Sequence, residues 1–341
     1  MSTTSLAALS DDLTLLTGLL YSLGILAYAA DFAFGKRRAT AAVRPAKEPA
    51  LVGAGAPVSD GDAVDDTAGE TAEAEPAAEP PAEEPGGMGR AVKVALGLTA
   101  LGLLAHFGTI LTRGLAAQRL PWGNMHEFII MIGFGAVAVF LVVSWRFKAH
   151  YAGMFVLIPV TLGIGLAATA LYTPVGALMP ALKSNSWIGI HVTAAITASG
   201  TFIVAGALNV MYLLAARYAK LKETGGEIGF SGIARKLPAA AVLDRLTYRI
   251  TIFGFPIWTF AIVAGAMWAD QAWGRYWGWD PKEVWSFIAW VVYAGYLHAR
   301  STAGWRGQKA AWIQLLAFGC LMFNLFGVNL WFSGLHSYAG V

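Results

Sequence analysis

The stretch WGRYWGWDPKEVW, residues 273–285, is the most informative part of this 341-residue chain. This Trp-rich segment holds four tryptophans and one tyrosine, and long apolar runs flank it on both sides. That setting places it at a membrane surface. Indole rings beside glycines can form a flat apolar face for a planar ligand. Trp and Tyr are also enriched at membrane interfaces in general, so a simple aromatic belt is the alternative interpretation.

The same stretch predicts where a helix begins. Asp280 is followed by Pro281, and Glu283 comes three residues after the aspartate. Asp before the first turn, Pro at its first position and Glu at its third are a helix-start pattern. We therefore expect the next membrane span to start here, and its rigid first turn to hold Trp277 and Trp279 in place.

The composition of the whole chain indicates an integral membrane protein. It is 57% hydrophobic and 13% charged, and its mean hydropathy is +0.56. Repeated apolar runs of about twenty residues predict an all-α polytopic bundle of about eight transmembrane helices. The predicted spans are Leu13–Phe34, Ala91–Thr112, Phe128–Val143, Tyr151–Leu171, Ile188–Ala216, Ile250–Trp268, Glu283–Arg300 and Ala310–Phe332. The first run lacks a small-residue cleavage site, so it is interpreted as a retained span.

Composition divides the chain into three parts. Residues 1–38 form an N-terminal transmembrane anchor, 39–89 an acidic Pro/Ala-rich linker, and 90–341 the main transmembrane domain. Residues 48–89 contain no Lys or Arg, and ten acidic residues lie between Asp60 and Glu84. Such a segment cannot bury enough apolar surface to offset the entropy of ordering, which predicts a disordered tether. An acidic interaction tail is the alternative.

The basic residues predict the orientation in the membrane. Of the 24 Lys and Arg residues, 19 fall on the side of Lys36, Arg37 and Arg38, and five fall on the other side. Cytoplasmic loops carry the excess of positive charge. We therefore expect the acidic linker to be cytoplasmic, and both termini and the Trp-rich segment to lie on the outer face of the plasma membrane. Residues 217–249 are predicted to be a cytoplasmic connector with a surface helix from about 231 to 245.

Two histidines are predicted at the same depth as the Trp-rich segment. His191 lies near the outer end of the fifth span, and His336 follows the last span in GLHSY. Two imidazoles with apolar walls are what bis-histidine ligation of haem iron needs. For either histidine alone, a hydrogen-bonded interfacial residue is the alternative. Arg275 and Lys282 could meet haem carboxylates, or equally a lipid phosphate. The candidate haem-binding residues of this outer site are His191, His336, Trp273, Arg275, Tyr276, Trp277, Trp279 and Asp280.

The other histidines are assigned different roles. His298, in GYLHAR, falls near the cytoplasmic end of the seventh span, where an ionisable group is costly and usually functional. As a metal ligand it would need a second donor from a partner subunit. The alternative is that His298 and Arg300 only reach toward lipid head groups. We expect a core hydrogen bond for His106, and a structural role at a turn and helix start for His126.

Three motifs in order carry a family resemblance. WGRYWGWDPKEVWSFIAW resembles the WWD domain of haem-handling proteins. With GYLHAR and GLHSY after it, the chain from about residue 95 resembles the CcsA/ResC proteins of system II cytochrome c biogenesis, often called CcsB in actinobacteria. The resemblance implies haem b on the outer face with His191 and His336 as axial ligands. It also implies that His298 binds haem in transit, opposite a ligand from a ResB-like membrane protein.

The function implied by this resemblance belongs to a complex. Together with the ResB-like protein, the chain would act as a cytochrome c haem lyase that attaches haem to the CxxCH cysteines of apocytochrome c. Holding haem vinyl groups and thiols together replaces a bimolecular encounter with a local one. Cys320 is the single cysteine, which excludes a CxxC redox pair here, so separate thiol-reducing proteins are implied.

Other functions remain as alternatives at this point. One is a haem exporter or delivery protein without synthase activity, and another is an electron-transfer membrane haem protein. The latter commonly pairs histidines at a short spacing on two helices, which this sequence lacks. A small-molecule transporter ranks last, because no internal repeat is visible. We expect the lipid bilayer to surround the chain, and we expect no nucleic-acid partner.

Overall fold

The computed structural model describes residues 2–34, 89–178, 180–183, 186–225, 231–302, 305 and 307–336. Over these residues the chain is helical and contains no strand. The predicted all-α polytopic membrane fold is thereby confirmed. The acidic linker predicted over 39–89 lies outside the described residues, apart from Gly89.

Each predicted span corresponds to a helix or to a pair of consecutive helices. The helices are α1 (Thr3–Phe34), α2 (Arg90–Ala117), α3 (Met125–Phe147), α4 (Gly153–Ala168), α5 (Trp187–Glu223), α6 (Ser231–Ala234), α7 (Ala240–Trp273), α8 (Pro281–Ser301), α9 (Gln308–Met322) and α10 (Val328–Trp331). A π-helical turn, Phe323–Gly327, joins α9 to α10. Within the described residues, seven of these stretches are long and apolar enough to cross a membrane. Of the eight predicted spans, the exception is α8, whose 21 residues include several charged and aromatic side chains. It packs beside α7 and α9.

Several helices extend beyond the apolar runs from which they were predicted. Helix α1 begins at Thr3, α5 continues to Glu223, and α7 begins at Ala240. Hydropathy marks the part of a helix that matches the bilayer, whereas the backbone can stay helical beyond it, most readily through good helix formers such as the Lys, Leu and Glu residues at the end of α5. The predicted surface helix over 231–245 is wrong. Only Ser231–Ala234 forms a separate short helix, and α7 begins at Ala240. Pro238 lies in the break between them, and proline disfavours helical backbone at the residue before it.

Helix α5 lies at the centre of the bundle and packs against α3, α7 and α9. A side chain at Gly200 would place its Cβ 2.6 Å from the backbone nitrogen of Ala136, so glycine is what allows α5 and α3 to approach backbone to backbone. The largest cluster of buried apolar side chains, including Phe140 and Leu208, surrounds this crossing. This crossing fixes α5, the helix that carries His191.

Two buried histidines join helices within the bundle. The Nδ1 atom of His106 in α2 lies 3.2 Å from the hydroxyl of Tyr21 in α1. The Nδ1 atom of His126 in α3 lies 2.7 Å from the carbonyl oxygen of Ala167 in α4. The core hydrogen bond expected for His106 is confirmed, and His126 has the structural contact expected of it.

The antiparallel course of the helices brings one set of connections to the same end of the bundle. We call this the site end. It holds the α2–α3, α4–α5 and α7–α8 connections, the start of α1 and the end of α10. Tyr172 donates to Asp11 at 2.8 Å there, and Arg119 donates to the Gly176 carbonyl at 3.2 Å. The opposite end holds the α3–α4, α5–α7 and α8–α9 connections.

Candidate functional site

A mainly apolar cavity lies at the site end, between α3, α5, α7, α8 and the last turns of α9. Aliphatic and aromatic side chains form most of its wall. Its polar lining residues include His191, His336, Lys282, Glu283 and Asn324. An apolar cavity with a few convergent polar groups is the usual form of a small-molecule site.

His191 is fixed in this cavity by a backbone contact. Its Nδ1 lies 2.7 Å from the carbonyl oxygen of Ala261 in α7. Because a carbonyl only accepts, Nδ1 carries the hydrogen, and in the neutral ring Nε2 carries the lone pair. Gly265 makes room for the ring, since a Cβ there would lie 2.8 Å from the imidazole. The ring is nearly parallel to the indole of Trp268, with centroids 6.0 Å apart.

His336 is fixed by a carboxylate from a distant part of the chain. Its Nδ1 lies 2.8 Å from Oδ1 of Asp280, at the start of α8. An ionised carboxylate also only accepts, so here too the lone pair of the neutral ring is on Nε2. The imidazole meets the indole of Trp273 with centroids 4.8 Å apart, and that of Trp268 at 5.6 Å. Both histidines thus contact Trp268, and the structure brings them together.

Asp280 serves the helix start and the histidine at once. Its oxygens also accept from the backbone nitrogens of Lys282 at 3.1 Å and Leu335 at 2.6 Å. Burial alone would raise the pKa of this carboxyl group, but the hydrogen bonds from His336 and from the Leu335 and Lys282 backbone outweigh it, and the pKa lies below its ordinary 3.8. The carboxylate is therefore ionised near neutral pH and keeps the hydrogen on Nδ1 of His336. The predicted helix start, with Pro281 in the first turn, is confirmed.

Glu283 holds the Trp-rich segment in shape. Its Oε2 accepts from the backbone nitrogens of Gly278 at 2.7 Å and Asp280 at 3.1 Å, and its Oε1 lies 3.5 Å from Nη1 of Arg275. The two backbone bonds flank Trp279, whose φ of +59° is in the left-handed region that a tryptophan rarely adopts. The carboxylate thereby stabilises a backbone conformation that is unfavourable in isolation.

The structure places the sequence-predicted residues in three groups. Those that line the cavity are His191, His336, Tyr276 and Trp277. Those that contact the lining residues are Trp273, Asp280 and Arg275. The most exposed are Trp279, which is 68% exposed and touches the cavity only through the edge of Trp277, and His298. His298 is exposed near the far end of α8, about 27 Å along the helix from Asp280 at 1.5 Å per residue.

Two groups that contact the histidines of this site were not predicted from the sequence. Trp268 is 1% exposed and touches both imidazoles, yet in the sequence it is one more apolar residue inside a predicted span. The partner of His191 is the main-chain carbonyl of Ala261, which no side-chain pattern reveals. The signal that could have found Trp268 is its position in the last turns of α7, close before Trp273.

A second buried charge cluster supports the wall of the cavity. Glu127 in α3 is fully buried, and its carboxylate accepts from Nε of Arg113 at 3.0 Å and Nη1 of Arg119 at 2.8 Å. Asn124 caps the same helix by accepting from the Glu127 backbone nitrogen at 2.9 Å. These bonds fix the connection before α3. Trp122, in that connection, belongs to the same buried apolar cluster as Trp268.

Comparison with known proteins identifies the family. Residues 122–336 match the family model described as "Cytochrome C assembly protein". Over 269 residues the chain is 34% identical to the cytochrome c biogenesis protein CcsA of Gloeothece citriformis, which covers 66% of this chain and 81% of that protein. The chain belongs to the CcsA family. This membership gives it a role in cytochrome c maturation and implies that it handles haem.

Other CcsA proteins show similar agreement. The CcsA of Synechocystis is 32% identical over 297 residues, covering 72% of this chain and 88% of the relative. That of Guillardia theta is 34% identical over 241 residues, covering 67% and 79%. Among solved structures, a protein titled "Cytochrome c Heme Lyase CcmF" has a similar fold, with a TM-score of 0.58 and 17% identity. The alignment covers 96% of this CcsA-family chain but 47% of that one.

Proposed function

We propose that this CcsA-family chain is the haem-handling subunit of a system II cytochrome c synthase. It would bind haem b through His191 and His336 and present it for thioether attachment to the CxxCH motif of apocytochrome c. The observation that supports this most is that both imidazoles are held through the same ring nitrogen, Nδ1. Each Nδ1 is held by an acceptor beside the same indole, Trp268, which leaves Nε2 as the ligating nitrogen of each neutral ring. Proteins commonly prepare histidine ligands in this way.

The chemistry of the donor set fits haem rather than a bare metal ion. Among the described residues, no group of three or more His, Cys, Asp and Glu side chains could hold a metal ion. A metal at the histidine pair would therefore have to bring further ligands, as the four nitrogens of a porphyrin do. The aromatic side chains of Trp268, Trp273 and Trp277 offer apolar surface for such a planar molecule.

The proposed chemistry is addition of a thiol across a vinyl group. The cysteine sulfur bonds to one vinyl carbon and its hydrogen goes to the other, so the addition involves no net oxidation. The chain supplies position: haem held at a fixed place meets the thiols locally rather than by random encounter. The histidine of the incoming CxxCH would replace one of the two axial ligands. Because Cys320 is the single cysteine, the thiols must be kept reduced by other proteins.

We further propose that the site end faces outward from the plasma membrane. Five of the 24 Lys and Arg residues belong to this end in the sequence, and the positive-inside rule then sets the opposite end in the cytoplasm. Both termini would be outside and the acidic linker inside. His298, exposed near the opposite end, would contact haem in transit together with a ligand from a ResB-like membrane protein.

The test is the absorption spectrum of the full-length chain purified with its partner. His191→Ala and His336→Ala should each remove or shift the haem Soret band, and added imidazole should restore part of it. His150→Ala, a histidine change at the opposite end, is the matched control and should leave the spectrum as in the wild type. Unchanged spectra in both site variants would contradict the assignment.

A further inference from the structure

Lys282 places its amino group in the same cavity as the two histidines. It lies in the first turn of α8, and its side chain lines the cavity and is half-buried. Its Nζ donates at 2.8 Å to the backbone carbonyl of Asn324, which belongs to the π-helical turn between α9 and α10. One neutral acceptor does not neutralise an ammonium group. A charge held in mainly apolar surroundings is costly unless an anion accompanies it.

In the described part of the chain, no carboxylate pairs directly with that ammonium group; the charge of Asp280 acts on it only from a distance. Within the described residues, no carboxylate oxygen lies within 4.0 Å of the Lys282 ammonium nitrogen. The two nearest acidic residues in the sequence are engaged elsewhere. Asp280 accepts from His336 and from the Leu335 backbone, and Glu283 accepts from the Trp-rich segment. A negative group of a bound molecule would complete the environment of Lys282.

We propose that Lys282 is the counter-ion for a carboxylate of the molecule bound in this cavity, namely one of the two propionates of haem. The proposal rests on the proposed function. Arg275 is less suited to this role, because its guanidinium lies 3.5 Å from Glu283 and is thus partly neutralised already. An ammonium group pairs with a carboxylate as a compact point charge and needs no fixed planar geometry.

The surroundings of Lys282 support a polar subsite on one side of the cavity. Asn324 lines the cavity and is 7% exposed, and the NH2 group of its side chain is the kind of donor that a carboxylate accepts from. π-Helical turns such as Phe323–Gly327 are frequent at functional sites. A propionate held here would fix the carboxylate side of the porphyrin toward α8 and α9. The vinyl groups, on the other side of the macrocycle, would then point away from Lys282.

The experiment compares two ligands that differ in charge but share the iron and the ring. The purified full-length chain in detergent is titrated with ferric haem and with ferric haem dimethyl ester, and binding is followed by the Soret band. The wild type should bind the free acid roughly tenfold or more tightly than the ester, as expected for a charge-assisted contact. Lys282→Met should abolish this preference and leave the ester affinity nearly unchanged. Lys183→Met, which removes the same charge from an exposed position at the site end, should keep it.

Each outcome decides the proposal. Retained ester binding in Lys282→Met shows that the histidine site is intact in the variant. The proposal is overturned if the wild type binds acid and ester equally, or if Lys282→Met keeps the wild-type preference, as it would with a lipid phosphate at Lys282. If Lys282→Met binds neither ligand, the Lys282→Arg variant is titrated instead. It keeps a positive charge and must therefore retain the preference for the free acid over the ester; loss of that preference overturns the proposal. Failure of the wild type to bind either ligand would instead reject the proposed function.

Discussion

The site end and the far end of α8 hold their histidines in opposite ways. At the site end, His191 and His336 are both tied by Nδ1, and the carboxylates of Asp280 and Glu127 are buried with cationic or imidazole partners. At the opposite end, His298 is exposed. The difference is what the proposed function expects, with one histidine pair assembled within this chain and His298 left accessible to a separate molecule.

The opposite end also has a partly buried ion pair, between Arg300 and Asp244, but this pair does not cover His298. Nη1 of Arg300 lies 2.7 Å from each carboxylate oxygen of Asp244, and its guanidinium sits 4.8 Å from the ring centre of Tyr248. Arg300 follows His298 by two residues, which is about 200° around a helix at 3.6 residues per turn. Drawing Arg300 inward therefore turns His298 outward.

The largest expected effect is at the site end, where one carboxylate holds one ligand. Asp280→Ala removes the acceptor of His336 and the cap of α8, and should weaken haem binding roughly tenfold to a hundredfold, as loss of a ligand-orienting group does. Binding is measured by Soret titration of the purified chain. Asp270→Ala, which removes a carboxylate from the last turn of α7, is the control and should have little effect.

The pH dependence of this contact follows from the lowered pKa of Asp280. Its stabilising contribution is fully present above the ordinary carboxyl value of 3.8 and is lost as the pH falls through the lower pKa of the folded state. Haem affinity should therefore show no loss attributable to Asp280 between about pH 5 and 8. A wild-type affinity that falls in this range, with Asp280→Ala following the same curve, would point to another titrating group.

An intermediate effect is expected at the opposite end, and only in cells. His298→Ala should lower the haem content of the chain as isolated with its partner severalfold, because delivery is impaired. Haem added to the purified variant should restore the Soret band, because the site end is intact. A normal haem content in the variant isolated from cells would show that His298 is not on the route. If added haem does not bind to the purified variant, the change at His298 also affects the outer site, and the two ends do not have separate roles.

The smallest effect is expected from a single methyl group beside His191. Gly265→Ala places a Cβ 2.8 Å from the imidazole, and the overpacking should cost about 1–3 kcal/mol, enough to displace the ring from the Ala261 carbonyl. Haem affinity should fall only by about twofold to threefold, because most of that cost acts on the fold whether or not haem is bound. Gly295→Ala in α8 is matched to it, since nothing lies within 4 Å of its added Cβ. Equal affinities in the two variants would mean that the fit around His191 is loose.

What could be predicted from the sequence depended on local patterns. The start of α8 was predictable because Asp280, Pro281 and Glu283 act within one helical turn. The spans were predictable because apolar length has to match the bilayer. The left-handed backbone of Trp279 was not predictable, since Glu283 stabilises it from the next helix. Neither was the contact of His191 with Ala261, which depends on how closely α5 and α7 pack.

The placement of the histidines illustrates the same limit. Depth along the membrane put His191 and His336 at one level, but depth does not show which atoms meet. The structure adds that both rings touch Trp268, a residue indistinguishable in sequence from other core aromatics. It also separates the tryptophans of the Trp-rich segment, placing Trp277 at the cavity and Trp279 at the surface. Sequence composition alone treats those two indoles as equivalent.

The bond between Asp280 and His336 has a consequence for how the protein is made. It joins residues 56 positions apart, and His336 comes after the last helix of the bundle. During synthesis, α8 enters the membrane before its carboxylate has an imidazole to hold. A nascent chain that stops short of residue 336 can contain α1 to α8 and still lack half of the proposed iron ligands. Competence to receive haem would thus begin only when the segment that carries His336 has been made and packed against the start of α8, which keeps shorter nascent chains from capturing it.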